Sequence, residues 1–296
     1  MGSSHRVPTG PPASAGVLAR YARAYAKQND LAESRVRAWV SYMMLAGVLE
    51  RFAAQKDGYT FTVKGGVALE LRLGKDARAT KDIDLVLHDA ATDLVDALEQ
   101  AVAGTGASPG PVEIPGYQGF QFRRRRPPIR LDNGAVNVEL NVTYRGGDWT
   151  TIAVDIARAE PGESETEMLA AVKFDDALGI AGPSHVPCLP LRFHIAQKLH
   201  GMTLPPRPNK KNERFKDLVD LMLMDAMVSD YAGLREACEQ VFKQRRTHDW
   251  PPVLNLPPHW TDSYTALAKD LGLPVQNAEE AMERVRAFVA RIQSAR

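Results

Sequence analysis

Residues 62–87, TVKGGVALELRLGKDARATKDIDLVL, constrain the fold more than any other part of the chain. The segment ends in an alternation that predicts a strand, with Asp82 and Asp84 on one face and Ile83 and Leu85 on the other, toward a core. Two neighbouring carboxylates repel each other and raise each other's pKa, and a cation between them relieves that repulsion. Oxygen ligands at this spacing suit Mg²⁺ or Mn²⁺.

Two glycines precede this acidic strand. Gly65 and Gly66 join a strand predicted over residues 59–63 to a helix predicted over residues 67–73. Backbone N–H groups at the start of a helix bind phosphate well. A Gly-Gly turn followed by an Asp-apolar-Asp strand is typical of a nucleotidyltransferase active site. The alternative is a solvated acidic edge strand beside an incidental glycine turn.

A third carboxylate would complete a metal site. On the predicted strand 151–156, Asp155 shares a face with Thr151 and Ala153, whereas the other face is apolar. Asp155 is therefore the predicted third metal ligand, with Asp82 and Asp84. Glu139, on the predicted strand Val136–Tyr144, is the competing candidate. Asp155 as a plain surface acid is the other alternative.

The hydrophobic pattern predicts a mixed α/β first half and a helical second half. The 296 residues suit one large or two coupled domains. Residues 1–15, rich in Gly, Pro and Ser, are predicted to be a disordered tail. Residues 16–160 are predicted to form N-terminal helices, with a helical pattern over residues 16–52 and Asp30 as a plausible cap, and then an α/β (α+β) domain with a mixed sheet. Helical periodicity after about residue 165 predicts a C-terminal helical bundle, within a second domain of residues 161–296. Its helices are predicted near residues 191–202, 214–227, 231–243, 261–271 and 277–294.

Composition excludes several classes of protein. Lys and Arg number 37 and Asp and Glu 36, a net charge of +1, which argues against a wholly basic nucleic-acid binder. The two cysteines, 50 residues apart in sequence, exclude a zinc ribbon. No apolar run is long enough for a membrane helix, and the N-terminus lacks the apolar stretch of a signal peptide. We therefore expect a cytoplasmic protein that does not bind membranes.

A lysine and an acidic stripe mark the helical half. Lys198 falls within the apolar stripe of the predicted helix Leu191–Met202, where it needs an anion unless its long stem reaches solvent. The predicted helix after Asn212 carries Glu213, Asp217 and Asp220 on one side. Its opposite side is a predicted core stripe of Phe215, Leu218, Val219, Met222 and Ala226. Alone, such an acidic stripe is usually solvated.

Basic clusters suggest a phosphate-binding surface. Residues 123–126 are four consecutive arginines, Arg123, Arg124, Arg125 and Arg126. Aromatic residues near them in the sequence are candidate stacking partners for bases, namely Tyr117, Phe120, Phe122 and Trp149. Further basic pairs are Lys210 with Lys211 and Arg245 with Arg246. The alternative is a charged, solvated hairpin.

Four motifs, VKGGVALELRLG, RATKDIDLVL, QKLHG and RFKDLVDL, occur in this order. Together they resemble the AbiEii/MenT-type nucleotidyltransferase toxins of bacterial toxin–antitoxin systems. The resemblance implies a nucleotidyltransferase fold. It implies catalytic roles for Asp82, Asp84, Lys198, Asp220 and Thr80. It implies nucleotide binding by Lys64, Gly65, Gly66 and Lys198. Thr80 stands where the family often has Ser, and the hydroxyl group is kept.

The resemblance also implies a reaction and its partners. The expected activity transfers a nucleoside monophosphate from an NTP to the 3′ end of tRNA, which blocks aminoacylation and translation. Mg²⁺ or Mn²⁺ is the expected cofactor, and a cognate AbiEi-type antitoxin is the expected partner. The C-terminal domain is expected to contribute Lys198 and Asp220 to the catalytic cleft. The alternatives are an antibiotic-type, small-molecule nucleotidyltransferase and a non-catalytic nucleotide- or RNA-binding protein.

Overall fold

The computed structural model describes residues 8, 10–55, 60–103, 117–160, 165–205 and 211–295. The chain divides into two compact units. The first unit contains residues 1–75, 79–160 and 166–188. The second unit contains residues 76–78, 161–165 and 189–296. Each unit therefore combines segments that are distant in the sequence.

The first unit is a mixed sheet with helices. Its helices are α1 (Ala15–Gln28), α2 (Glu33–Ala53), α3 (Gly65–Leu73), α4 (Leu94–Ala103) and the short α5 (Asp175–Leu178). Its strands are β1 (Phe61–Lys64), β2 (Asp82–Leu87), β3 (Phe120–Arg124), β4 (Ile129–Arg130), β5 (Val136–Tyr144), β6 (Gly147–Arg158), β7 (Glu167–Ala170) and β8 (His185–Cys188). The predicted α/β class with a mixed sheet is confirmed.

The order of the strands brings sequence-distant segments together. The strands lie in the order β3-β5-β6-β2-β1-β8-β7, and β4 pairs with β5. β2 and β6 run parallel, as do β1 and β8, and the other neighbours are antiparallel. β2, which carries the acidic alternation, therefore lies between β6 and β1 inside the sheet.

One face of this sheet is apolar and the other is polar. Along β5 the buried residues Val136, Val138, Leu140 and Val142 alternate with polar residues. These four belong to one hydrophobic core with residues of α1, α2 and α4. Period-2 alternation over nine residues is typical of a strand with one buried face. Asp82, Asp84 and Asp155 are on the polar face.

The structure differs from the sequence prediction in two elements. The helical pattern of residues 16–52 forms two helices, but Asp30, the predicted cap, instead adopts a left-handed backbone with φ of 54° between α1 and α2, and Ala32 is the N-cap of α2. The strands β7 and β8 lie where only helices are predicted. β7 has only four residues, and Met168 on it is 55% exposed. Its sequence therefore shows little of the hydrophobic alternation that predicts a strand. Tyr59, where β1 is predicted to begin, lies outside the described residues.

The predicted disordered tail, residues 1–15, lies partly outside the described residues. Within them, Ser14 caps α1 by accepting a hydrogen bond from the N–H of Val17. The carbonyl oxygen of Pro12 accepts a hydrogen bond of 2.8 Å from the hydroxyl of the buried Tyr144. The end of the tail that precedes α1 thus packs against β5 within the first unit.

The second unit is helical in its described residues. Its helices are α6 (Leu191–Met202), α7 (Phe215–Asp225), α8 (Tyr231–Arg245), α9 (Thr261–Asp270) and α10 (Ala278–Ser294). All five are predicted from the sequence to within a few residues. Its core holds large buried side chains such as Trp260, Tyr264 and Phe288. In the part of the chain that the structure describes, no helix has both the length and the apolar character to cross a membrane.

Candidate active site

Three predicted metal ligands lie on one face of the first unit's sheet. Asp82 and Asp84 alternate along β2, and Asp84 is the cross-strand neighbour of Asp155 on β6. Asp155 is in turn the neighbour of Asn137 on β5. Cross-strand neighbours point to the same side of a sheet, so the three carboxylates share the polar face. We call Asp82, Asp84 and Asp155 the carboxylate face.

Glycine is required at positions 65 and 66 because the backbone there lies very close to Asp84 and Thr80. α3 begins at Gly65, whose φ is +62°, and a Cβ atom there would lie 1.8 Å from Oδ2 of Asp84. A Cβ atom on Gly66 would lie 2.4 Å from Oγ1 of Thr80. The first turn of α3 thus lies directly against Asp84 and Thr80. The N–H groups of this turn have no partner within the helix and carry partial positive charge beside the carboxylate.

Thr80 orients the first aspartate. Its hydroxyl donates a hydrogen bond of 3.0 Å to Oδ1 of Asp82. Lys64 ends β1 as the cross-strand neighbour of Asp84 and is half-buried. The structure therefore brings together five of the predicted groups in this unit, namely Lys64, Gly65, Gly66, Thr80 and the carboxylate face.

Asp155 is held by a residue that the sequence analysis did not single out. The side-chain amide of Asn137 donates a hydrogen bond of 2.6 Å to Oδ1 of Asp155. Burial raises the pKa of Asp155, the hydrogen bond from Asn137 opposes that rise, and the charge of Asp82 adds to it. The competing candidate Glu139 lies opposite Ala153 and pairs with Arg125 and Arg126, at 3.1 and 2.7 Å. Asp155 is thus the carboxylate beside Asp84.

The chemistry of the carboxylate face fits a hard divalent cation. Its ligands are all oxygens, as Mg²⁺ and Mn²⁺ prefer. The charge of Asp82 raises the pKa of Asp155, so these carboxylates repel each other and a cation would relieve the repulsion. Among the described residues, however, no three His, Cys, Asp or Glu side chains converge as a ready-made metal site. Asn137 holds Oδ1 of Asp155.

A buried acid on α3, Glu70, is paired with Arg35 on α2. Glu70 is 3% exposed, and Nε of Arg35 donates a hydrogen bond of 3.1 Å to its Oε1. Arg35 also donates to the carbonyl oxygens of Gly74 and Lys75, in the segment that leads to β2. Burial raises the pKa of Glu70 to about 7, against the opposing charge of Arg35. One acid in the apolar run VALELRL was the only sequence sign of this pair.

Tyr42 also lies near the carboxylates. Its side chain is 1% exposed, and burial raises its pKa, as do the charges of Asp82 and Glu70. The hydroxyl therefore stays protonated and adds no charge to the site.

Lys198 lies within a cluster of charges in the second unit. Its Nζ lies 2.9 Å from Oδ1 of Asp217 and 2.6 Å from Oδ2 of Asp220. Arg78 binds both oxygens of Asp220, at 2.9 and 3.0 Å, and Arg214 lies 3.1 Å from Asp217. We call these five residues the lysine cluster. Three cations and two carboxylates leave it a net positive charge.

The burial of the lysine cluster excludes the solvated acidic stripe and changes which positions of α7 face the core. The acidic stripe is not a solvated face, because Asp217 is 5% and Asp220 0% exposed, while Glu213 is exposed. The predicted core positions Met222 and Ala226 are half-buried and exposed, since α7 turns its carboxylates inward toward Lys198.

The charges in this cluster shift each other's pKa. Burial would lower the pKa of Lys198, but Asp217 and Asp220 outweigh it and raise that pKa. Burial would raise the pKa of Asp217, but Lys198 and Arg214 lower it overall. Lys198 therefore carries its charge at neutral pH, and the anions that it meets within the unit are the two aspartates.

The arginine run is exposed, but three of its members are paired. Arg124 lies 2.8 Å from Glu99, and Arg125 and Arg126 share Glu139. Arg123 is the cross-strand neighbour of Asn141, on the same polar face as Asp155. The run therefore presents less net charge than its sequence suggests.

The prediction of stacking partners is wrong for three of the four aromatic residues. Phe120, Phe122 and Trp149 are 0, 4 and 3% exposed, because they alternate into the core of the sheet. Bases cannot stack on side chains that are buried in this way. Lys210 lies outside the described residues, and Lys211 beside it is exposed.

Known proteins share this sequence pattern and fold. The family model described as "Nucleotidyl transferase AbiEii toxin, Type IV TA system" matches residues 47–291. MenT4, a nucleotidyltransferase toxin from Mycobacterium tuberculosis H37Rv, is 20% identical, with a TM-score of 0.59 over 96% of this chain and 90% of MenT4. At that identity the likeness shows a shared fold.

Two further solved structures match less well. An antigenic nucleotidyltransferase-like protein from Paracoccidioides brasiliensis is 15% identical, with a TM-score of 0.38 over 69% of this chain and 89% of its own. The antibiotic-resistance factor ANT(2'')-Ia is 17% identical, with a TM-score of 0.37 over 70% and 94%. No curated protein matches the chain.

Proposed function

The chain belongs to the nucleotidyl transferase AbiEii toxin family, as its motifs predict, and from this premise we propose that it transfers a nucleoside monophosphate from an NTP to the 3′ end of tRNA. A tRNA modified at its 3′ end can no longer be aminoacylated, so translation would stop. The observation that carries the proposal is the register that puts Asp84 beside Asp155, with Asp82 on the same face and Gly65 against Asp84.

The proposed roles follow from the contacts within the first unit. A divalent cation such as Mg²⁺ or Mn²⁺, held by Asp82, Asp84 and Asp155, would bind the triphosphate and activate the attacking hydroxyl. Thr80 keeps Asp82 oriented through its hydrogen bond. The first turn of α3, at Gly65, offers backbone N–H groups to phosphate.

Asn137 and Lys64 complete this set of proposed roles. Asn137 holds Asp155 through one carboxylate oxygen. Lys64, beside Asp84, supplies a positive charge for the nucleotide. Neither residue is buried beyond the reach of a ligand, since both are half-buried.

The lysine cluster is proposed to bind phosphate as a charged group. Its surplus positive charge favours an anion. Asp217 and Asp220 hold Lys198 in place, so Lys198 and Asp220 are proposed as catalytic residues that act together. The two aspartates of the cluster already pair with Lys198. We therefore propose that Arg78 and Arg214 share the phosphate-binding role.

The proposed partners are tRNA, an NTP and a cognate AbiEi-type antitoxin, in the cytoplasm. Of the residues predicted to bind RNA, Arg123 keeps its place on the polar face, whereas Arg124, Arg125 and Arg126 are partly neutralised. We therefore assign the arginine run a supporting role in RNA binding.

One labelling experiment tests the proposed function. The protein is incubated with each α-labelled NTP, Mg²⁺ and total tRNA, and label in RNA is measured. The Asp82→Ala variant should incorporate no label. The matched control is Asp148→Ala, since Asp148 is an exposed aspartate on β6 outside the carboxylate face. Label that enters tRNA whose 3′-terminal ribose has been oxidised with periodate, or no label with any NTP, would contradict the proposal.

A further inference from the structure

A pocket of about 700 Å³ lies in the second unit, at the C-terminal end of α8. Part of its wall is aromatic. The ring of Phe242 lies 5.3 Å from that of Trp250 and 4.9 Å from that of His248, between centroids. Its volume falls in the range of small-molecule sites. The candidate active site uses none of these residues.

The aromatic wall is uncharged and held in place. His200 packs 4.7 Å from His248 and shares a hydrogen bond of 2.7 Å with the hydroxyl of Thr247. Burial and the charge of Arg245 lower the pKa of His200 to about 3. Burial also lowers the pKa of His248, although the charge of Asp249 opposes it. Flat, neutral rings of this kind suit the face of a nucleobase.

Two cations border the aromatic wall. Lys243 and Arg246 line the pocket, and neither forms an ion pair with any other residue that the structure describes. Of the two acids in the lining, Glu239 is held by Arg235 at 2.8 Å. Asp249 is exposed and could accept a hydrogen bond from an amino group on a base. Cations beside a ring wall match the phosphate and the base of one nucleotide.

The backbone of Arg246 supports a role for its side chain. Arg246 ends α8 in the left-handed conformation, with φ of 50° and ψ of 29°. Glycine or asparagine is the usual residue at this position, because other side chains strain the backbone there. A strained residue that carries an unpaired charge into a pocket points to a ligand.

We propose that this pocket binds one nucleotide unit, with its base against Trp250 and its phosphate between Lys243 and Arg246. The nucleotide is either a free nucleoside monophosphate or part of a single RNA strand. If it belongs to RNA, the pocket holds the tRNA acceptor outside the reacting centre, and that part of the inference rests on the proposed function.

Tryptophan fluorescence reports directly on the pocket. Trp39, Trp149 and Trp260 are 5, 3 and 0% exposed, whereas Trp250 is half-buried in the pocket. A base stacked on Trp250 should quench the fluorescence of the full-length protein, and Trp250→Phe should abolish that signal. AMP and a short single-stranded RNA are titrated separately. Stronger quenching by RNA assigns the pocket to a strand, equal quenching assigns it to the free nucleotide, and no quenching by either overturns the proposal.

A matched pair of glycine variants separates binding from structure. Arg246→Gly relieves the backbone strain, so its melting temperature should equal or exceed that of wild type while nucleotide affinity falls by about tenfold or more. Arg145→Gly is the control, since Arg145 also has a positive φ, of 48°, but lies in the first unit. Wild-type affinity in Arg246→Gly, or an equal loss in Arg145→Gly, would overturn the proposal.

The Asp82→Ala variant distinguishes this inference from the proposed function. It should lose nucleotide transfer and still show quenching, because Asp82 is not in the pocket. Wild-type protein that labels tRNA without any quenching would refute the pocket alone. Quenching without transfer of any label would refute the proposed function alone.

Discussion

Oδ2 of Asp84 lies 1.8 Å from the point where a Cβ atom on Gly65 would stand. Gly65 also has a φ of +62°, a conformation that side chains rarely adopt. The glycine turn and the acidic strand are therefore one steric unit, in which the start of α3 fits against a carboxylate.

Gly65→Ala should lower both stability and nucleotide transfer. The left-handed backbone alone costs about 1–2 kcal/mol for a residue with a Cβ atom, and displacement of Asp84 adds to that cost. Gly272→Ala is the matched control, because Gly272 has the same φ of +62° with no atom within 4 Å of its added Cβ. Urea denaturation and label transfer measure the two effects. Equal destabilisation by both substitutions would show that the side chain of Asp84 moves aside at no measurable cost in free energy.

Asp82→Ala should abolish transfer without unfolding the protein. Asp82 is half-buried on the polar face, and its charge raises the pKa of Asp155. Its removal relieves repulsion, so thermal stability in EDTA should equal or slightly exceed that of wild type. Thr80 loses its carboxylate acceptor but keeps the carbonyl oxygen of residue 82 at 3.3 Å. Full activity in this variant would refute the metal assignment.

Lys198→Met should remove activity and also destabilise the protein. The sequence alone predicts little loss of stability, because Met suits an apolar stripe. The structure revises this, since the substitution leaves Asp217 and Asp220 buried without Lys198. Loss of one partner in a buried ion pair costs about 3–5 kcal/mol, and here Arg78 and Arg214 reduce that cost.

The control for Lys198→Met is Lys216→Met, at an exposed position on α7, which should change stability little. Activity is measured at a temperature where both variants are folded, as checked by circular dichroism. Wild-type turnover in folded Lys198→Met would rule out its phosphate role.

Glu70→Gln should remove a pH dependence from the stability. The carboxyl of Glu70 has a pKa of about 7 in the folded protein and an ordinary value of 4.5. Folding thus takes up a proton between these values, and stability falls as pH rises from 4.5 through 7. The substitution should stabilise the protein at pH 8 by up to about 3 kcal/mol, since one pKa unit corresponds to about 1.4 kcal/mol.

Urea denaturation at pH 5 and pH 8 measures this effect. Glu33→Gln is the control, because Arg23 and Arg37 hold the pKa of Glu33 below its usual range, so its effect on stability should be nearly the same at pH 5 and pH 8. The contribution of Glu33 is present above its unfolded pKa and lost as pH falls through the folded one. A Glu70→Gln variant that parallels wild type at both pH values would show that Glu70 is ionised throughout.

Replacing the four arginines 123–126 with Ser should weaken tRNA binding only moderately. Three of the four pair with two carboxylates, Glu99 and Glu139, so the run carries a net charge of about two. The log–log salt slope of binding should fall by about 1.4–1.8, about half of what four unpaired arginines would give. NTP affinity should not change.

The control for the arginine run is the replacement of Arg284 and Arg286 with Ser, since these arginines are also exposed and paired with glutamates. Filter binding over a salt series measures both slopes. An unchanged slope in the quadruple variant would show a solvated hairpin, and loss of NTP binding would place the arginines at the nucleotide.

The local part of the site was predictable from the sequence. Alternation along β2 puts Asp82 and Asp84 on one face, and the bounds predicted for that strand match the structure. A Gly pair before a helix needs no distant information either. The family's four motifs predicted the fold class and the family. All of these signals depend on residues close together in the chain.

The rest depends on pairs that are distant in the sequence. Glu70 meets Arg35 across 35 positions, and Asn137 meets Asp155 across 18. A local pattern records that a residue is charged, but not which partner the register brings to it. The buried state of Phe120 beside exposed arginines was missed for the same reason, since the run of charges hid a two-residue alternation.

The position of β8 in the sheet also determines how a chain that ends before β8 would behave. β8 pairs with β1 inside the sheet, yet it follows β1 by more than a hundred residues. A polypeptide released after residue 160 would hold all three aspartates of the carboxylate face, but its β1 would be left as a bare edge. Unpaired N–H and C=O groups along such an edge recruit strands from other chains. Interrupted synthesis would therefore yield a self-associating fragment rather than half of an enzyme.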